Sequence, residues 1–304
     1  MTLAAADFSG RVTFITGPEK GSGKTTLLNY ALGLLREAGE APAFLGIGLE
    51  GDGAAAAPFR RSAGPGGAAP RFPLVSCRPG ELFLSAGPYL RDSSCLPEVL
   101  ESLPGSTALG RLAVVRARRA GRAVLVGAER NEHTALAIAA MLEPGRARTI
   151  LVDGAINRIT QISSLPGSAP PRFLFAVRAS PGDLGRNLRA MARVYGLSRL
   201  PLEGSGPLPE PVCRVEGPLT AATLARVPAE ARSLVVEDLT KVFLDERELA
   251  ALRRDRVLAL RRGLEFGGFV VSLRDLSPSR FSRELGDPAL EELVAYGPFE
   301  ARVA

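Results

Sequence analysis

Lysine is almost missing from this chain: Lys20, Lys24 and Lys241 stand against 35 arginines. Arginine replaces lysine throughout, which is the mark of a biased genome composition rather than of a binding surface, so the formal charge of +6 does not by itself point to nucleic acid. The one dense basic stretch, Arg116 to Arg119 with Arg122, lies between two apolar runs that read as paired strands. It has no interleaved aromatic side chains on which bases could stack, so it is read as a solvated hairpin face and no nucleic-acid partner is expected. Cysteine is also scarce. Cys77, Cys95 and Cys213 are odd in number and far apart, with no C-x-x-C and no adjacent histidine. That excludes a zinc site of ordinary spacing and leaves structural thiols in a reducing compartment. No run approaches the roughly 18 to 20 apolar residues that span a bilayer, so no membrane partner is expected. The opening MTLAAADFSGR lacks the basic start and apolar core of a secretory signal, and a cytoplasmic protein is expected. Neither Asn-Lys-x-Asp nor Asp-x-His-x-x-Gly occurs, which removes the standard guanine-reading motif and the lower-ligand motif for base-off cobalamin.

What is present is concentrated near the start. Residues 12–29 read VTFITGPEKGSGKTTLLN: an apolar strand, a turn of small residues, then Lys-Thr-Thr opening an amphipathic helix. Small residues let the backbone curl so that successive N–H groups face phosphate oxygens, and the helix adds the positive end of its dipole. This is a P-loop, with Gly17, Lys20, Gly21, Ser22, Gly23, Lys24, Thr25 and Thr26 as the nucleotide-binding residues. Lys24 would reach the β- and γ-phosphates and the Thr25 hydroxyl would ligate Mg2+, making ATP and Mg2+ the expected cofactors. Two of the three lysines fall in this one turn, where a compact mobile charge suits phosphate. The usual spacing wants glycine at position 18, where Pro18 stands with Gly17 just before it. Glu19 occupies the position where partition ATPases carry an extra lysine, so Lys20 is not that residue.

Periodicity predicts strands at 12–16, 43–47, 82–85, 112–115, 123–126, 149–152, 173–177, 233–236, 257–260 and 269–272. Helices are predicted at 24–38, 132–142, 184–195 and 246–252, the first burying Leu27, Leu28, Ala31, Leu34 and Leu35 and stopping at Gly39. Strands alternating with helices imply an α/β fold of the P-loop NTPase type, doubly wound, its mostly parallel sheet covered by helices on both faces. The expected organisation is one domain over 1–304, with a flexible Ala/Gly/Pro-rich loop at about 48–71 and a possible subdivision near 163–171.

In such sheets ligands sit beyond the carboxyl ends of the strands. Asp153 ends the run TILVD and is read either as a carboxylate holding a metal-bound water or as the cap of the next turn. Asp52, in GLEGDG and 28 residues past Lys24, is read either as a metal-contacting or water-orienting carboxylate or as part of a plain tight turn. With Lys24 it is the candidate catalytic residue; with Thr25 and Asp153 it makes the candidate metal set. Glu237-Asp238 is the second choice for the Asp153 role. His133, the single histidine, sits at an apparent helix start and is read as a helix-terminus residue or a base, while Asn131 beside it is read as a ligand contact or a cap.

ITGPEKGSGKTT with GIGLEGDG, then RTILVDGAINRITQIS, SLVVEDLTKVFLD and SLRDLSPSR together resemble the P-loop component of the reactivating factor for cobalamin-dependent lysine 5,6-aminomutase and ornithine aminomutase. The resemblance runs over most of the chain. It implies a cytoplasmic protein working beside a larger MutS-like ATPase subunit, the pair using nucleotide to eject damaged cofactor from the aminomutase. It also implies that Lys24 and Thr25 bind phosphate and metal, with Asp52 and Asp153 at the metal. Where the family usually has Asn-Pro-x-Ser-Pro, this chain has Leu276-Ser277-Pro278 after Arg274-Asp275. Two other classes fit a phosphate loop on such a sheet. One is an ATP-dependent small-molecule enzyme resembling dethiobiotin synthetase, with Arg158 and Arg178 as substrate anchors. The other is a nucleotide-binding scaffold that hydrolyses nothing.

Overall fold

The computed structural model describes residues 1–47, 74–104, 107, 110–128, 130–154 and 171–297, the side chains of 74 and 131 excepted. The expected mobile loop at 48–71 and the expected subdivision at 163–171 therefore lie outside the described residues, apart from Pro171 itself. The chain is an α/β protein of two compact units: Ala4–Ile15 with Lys24–Gly154, and Met1–Leu3 with Thr16–Gly23 and Ala155–Ala304. They are called here the amino-terminal and carboxy-terminal units. No described helix is long and apolar enough to cross a membrane.

The amino-terminal unit carries β1 (Val12–Thr16), β2 (Ala43–Gly46), β3 (Leu74–Cys77), β4 (Leu82–Ala86), β5 (Pro97–Ser102), β6 (Leu112–Ala117), β7 (Gly121–Val124) and β8 (Ile150–Asp153). Its helices are α1 (Lys24–Glu37), α2 (Gly87–Leu90) and α3 (Asn131–Met141). The strand order is β1-β8-β2-β4-β6-β5, parallel from β1 to β4 and antiparallel where β6 meets β4 and β5. Every residue of β1 and β8 is buried, as expected of parallel strands covered on both faces. In α1 the buried row is Lys24, Leu27, Leu28, Ala31, Leu32 and Leu35. Leu32 takes the place expected of Leu34, because it stacks one turn above Leu28. Gly39, at φ +81°, lets the Glu40 N–H reach back 2.9 Å to the Leu35 carbonyl and end the helix.

One expectation is corrected. The runs flanking the arginine stretch do not form a hairpin: β6 pairs with β4 and β5, while β7 pairs antiparallel with β3. Closeness in sequence suggested local pairing, but both edges of β6 are taken, one by buried β4 and the other by half-exposed β5.

The carboxy-terminal unit carries β9 (Arg172–Ala179), β10 (Val212–Arg214), β11 (Ser233–Val236), β12 (Val257–Leu260), β13 (Glu265–Leu273) and β14 (Val294–Tyr296). Its helices are α4 (Leu184–Ser198), α5 (Ala221–Leu224), α6 (Glu246–Asp255), α7 (Pro278–Leu285) and α8 (Pro288–Glu291). The β9-β13-β14 and β10-β11-β12 groups are both wholly parallel. Gly268 marks an irregularity in β13; its φ is +115°, and a Cβ there would lie 2.7 Å from the Leu293 carbonyl. Helix α4 buries Leu184, Asn187, Met191, Val194 and Leu197, a single stripe at helical spacing. Asp245 and Glu248 close a reciprocal capping box on α6.

Candidate functional site

The turn expected to bind phosphate, Gly17–Gly23, falls in the carboxy-terminal unit, together with Thr16 at the end of β1. Gly17 is glycine for lack of room: a Cβ there would sit 2.2 Å from the Ser22 Oγ and 2.7 Å from the Ala176 carbonyl oxygen. The close-packed glycine of this loop is therefore Gly17, which accounts for a chain that tolerates Pro18 next to it. Gly21 and Gly23 lie in the left-handed region, at φ +83° and +98°. Alternation of that conformation with ordinary backbone is how successive N–H groups converge on an anion. Ser22 is 3 % exposed, and its Oγ has no hydrogen-bond partner among the described residues. A buried hydroxyl of that kind fits a loop that takes an oxygen-rich ligand. Pro18, Glu19, Lys20 and Gly21 form the exposed tip, where Glu19 is held by both nitrogens of the Arg186 fork at 2.6 and 2.7 Å.

Lys24, Thr25 and Asp153 belong to the amino-terminal unit. Lys24 opens α1 and is 8 % exposed. The Thr25 Oγ1 donates to Asp153 Oδ2 at 2.8 Å. Asp153 is the last residue of β8 and is 6 % exposed. Register places it opposite Ile15 of β1 and Gly46 of β2, so three strands end together around it. Its backbone is fixed by the Ile47 N–H, which donates 2.8 Å to the Asp153 carbonyl. Gly154 follows as glycine because a Cβ would come 2.8 Å from the Ile47 Cβ. A hydroxyl bonded to a buried carboxylate offers hard oxygen donors of the type Mg2+ takes.

Of the expected metal set, the structure brings Thr25 and Asp153 together. Asp52 lies outside the described residues, as do Arg158 and the turn after Gly154 that Asp153 would cap in its alternative role. Thr26 is exposed on the first turn of α1.

The second-choice pair has other employment. Asp238 is fully buried, and its Oδ1 accepts from the Thr240 N–H at 2.8 Å and the Thr240 hydroxyl at 2.7 Å, capping the turn Leu239–Lys241. Burial raises its pKa and the Glu237 charge adds to this, while the Thr240 bonds and Lys241 oppose it. Glu237 pairs with Arg262 at 3.3 Å. The SLRDLSPSR stretch is a helix entry: Ser277 Oγ caps α7 by accepting the Arg280 N–H, and Pro278 is its first residue. Asn131 is the first residue of α3, and Arg130 holds the cap position. His133 lies in the first turn of that helix, half-buried. Arg178 is an exposed residue of β9 whose carbonyl accepts from Asn187 Nδ2 at 2.9 Å.

Two features were not anticipated. Arg186 reaches Glu19 from 167 positions away, a pairing no local pattern signals. Arg36, in the last turn of α1, makes a buried two-pronged ion pair with Glu81 at 2.6 and 2.7 Å and also donates to the Ser76 carbonyl. An arginine on the helix face adjoining the apolar row was the available signal for the second.

No protein-family model, curated protein or solved structure matches this chain.

Proposed function

We propose that this chain is an ATP-binding P-loop protein of the doubly wound P-loop NTPase type, with Mg2+ as its ion and weak intrinsic hydrolysis. The observation that carries the reading is the bond from Thr25 to Asp153. These residues were assigned to one metal ion on separate grounds, and they meet from 128 positions apart. The glycine requirement at Gly17, the left-handed Gly21 and Gly23, and the buried Ser22 hydroxyl support the same reading. Lys24 would neutralise and orient the β- and γ-phosphates, and Thr25 with Asp153 would hold the ion, Asp153 through bound water. Bound Mg2+ would offset charge on the phosphate oxygens. Positioning and charge stabilisation are the main contributions a protein makes to phosphoryl transfer.

The sequence resemblance extends the proposal to a task. The chain would work beside a MutS-like ATPase subunit and reactivate a cobalamin-dependent aminomutase, with nucleotide state driving release of damaged cofactor. The test is ATP turnover by wild type and Lys24→Ala, alone and with a candidate aminomutase and companion subunit. Turnover that rises with the partners and vanishes in Lys24→Ala is the expected result. Turnover that responds only to an added small metabolite would favour the small-molecule enzyme, and tight binding without turnover would favour the scaffold.

A further inference from the structure

Two buried thiols in the amino-terminal unit, Cys77 and Cys95, take no part in the candidate site. Cys77 ends β3, and its cross-strand partner on β7 is Gly121. Cross-strand partners project to the same face of a sheet, so the space beside the Cys77 side chain is the space a side chain at 121 would fill. The strap Ser93–Cys95 fills it instead. A Cβ on Gly121 would lie 2.8 Å from both the Cα and the N of Cys95 and 2.7 Å from the Ser94 carbonyl carbon. The strap is tied down along β7: the Ser94 N–H donates to the Arg122 carbonyl at 2.9 Å and Ser94 Oγ accepts the Arg122 N–H at 2.9 Å. Ser93 Oγ accepts the Val124 N–H at 3.1 Å, and the Cys95 carbonyl accepts the N–H groups of Arg118 and Arg119 at 3.1 Å. The missing side chain at Gly121 thus delivers Cys95 onto Cys77, and both residues are buried, at 0 % and 3 % exposure.

We propose that Cys77 and Cys95 are a reversible dithiol–disulfide couple, a redox modification site in the amino-terminal unit. The neighbours set the order of events. Burial raises the Cys77 pKa well above the ordinary thiol value, and hydrogen bonding and charge from Cys95 raise it further, with Glu81 adding and Arg36 opposing. Cys77 is therefore held as the protonated partner. Both thiols have exposed chain neighbours, but only Cys95 adjoins a residue in the left-handed region: Leu96 is held at φ +51°, a conformation costly for a non-glycine residue. In the proposed order, local opening of the strap therefore bares Cys95 first. With a small disulfide such as oxidised glutathione, the Cys95 thiolate attacks one sulfur and one glutathione leaves as thiol. Cys77 then gives up its proton, attacks the Cys95 sulfur of the mixed disulfide and releases the second glutathione. Two protein thiols are oxidised, one small disulfide is reduced, and the protons end on the two glutathione thiols.

The experiment takes the full chain through a glutathione redox series, with thiols counted after denaturation and the cross-link mapped by peptide mass. The expected result is a fall from three free thiols to one, that one being Cys213, with a single Cys77–Cys95 linkage. Added dithiol should restore all three. The oxidised chain should melt several degrees higher, since the link closes a loop in the unfolded state. Cys213→Ser should fall from two thiols to none, which keeps the test independent of any variant at the buried positions. Three thiols persisting across the series, glutathione remaining bound at Cys95, or a linkage through Cys213 would each overturn the proposal. Nucleotide binding does not enter the test, so its outcome stands apart from the proposed function.

Discussion

Replacing Gly17 by alanine tests the loop at its tightest point. The new methyl would be 2.2 Å from the Ser22 Oγ, 3.1 Å from the Ser22 Cβ and 2.7 Å from the Ala176 carbonyl oxygen. The first contact can be eased by rotating the serine. The third cannot, because Ala176 is a buried residue of β9, whose backbone is paired in register with β13. The backbone at Gly17 is not left-handed, so alanine carries no torsional penalty there and the whole effect is steric. Forcing a methyl into a filled site costs about 1–3 kcal/mol, and at about 2–4 °C per kcal/mol the Tm should fall by about 6 °C at the centre of both ranges. Gly33 is the internal control: it lies within α1 with nothing inside 4 Å of its would-be Cβ. Alanine there should gain about 0.5–1 kcal/mol through helix propensity. Circular dichroism melts of the two variants beside wild type decide the matter. Opposite signs are expected; a Gly17→Ala variant as stable as wild type would refute the packing argument for this loop.

Three other substitutions follow from named contacts. Thr25→Val keeps the shape of threonine but removes the donor to Asp153; a hydrogen bond to a charged group suggests a loss of about 1.5–3 kcal/mol in chemical denaturation, and Mg2+ dependence of ATP binding should vanish with it. Arg36→Leu strands the Glu81 carboxylate, whose side chain is 1 % exposed, and should cost about 3–5 kcal/mol, whereas Arg36→Leu with Glu81→Leu should restore most of the stability. For Asp238 the direction with pH is fixed by the sign of its shift. Burial raises the folded-state pKa above the ordinary 3.8, so the folded state binds the proton more tightly. The stabilising contribution is therefore complete below 3.8 and is lost as pH rises through the raised folded value. Denaturation of Asp238→Asn and wild type from pH 4 to pH 7 should show the variant gaining on wild type as pH rises; a constant difference would contradict the assignment.

The parts of the fold that could be read from sequence are those where burial repeats at a fixed period. β1, β11 and β12 fall where their apolar runs are, and α1 ends at the glycine that ends its pattern. β10 and β14 span three residues each, too few for a period to show. β5 is half-exposed and begins with proline, so it reads as a loop. α7 was hidden in a polar stretch that is in fact a serine cap followed by proline. Pairing was less legible than element type. The partner of β7 is β3, and nothing in either run says so. At the candidate site, spacing pointed to Lys24 and Thr25, and a strand end pointed to Asp153. That Thr25 and Asp153 touch is a property of the β1–β8 register. The requirement for glycine at 17, rather than 18, comes from Ser22 and Ala176, one near in sequence and one far.

The most direct test of the central claim is calorimetric titration of ATP into the wild-type chain and Lys24→Ala, with and without Mg2+. One site of full affinity only in the presence of Mg2+, weakened at least about tenfold by Lys24→Ala, is the predicted result. Absence of binding to the wild type, or binding that Lys24→Ala leaves unchanged, would contradict it.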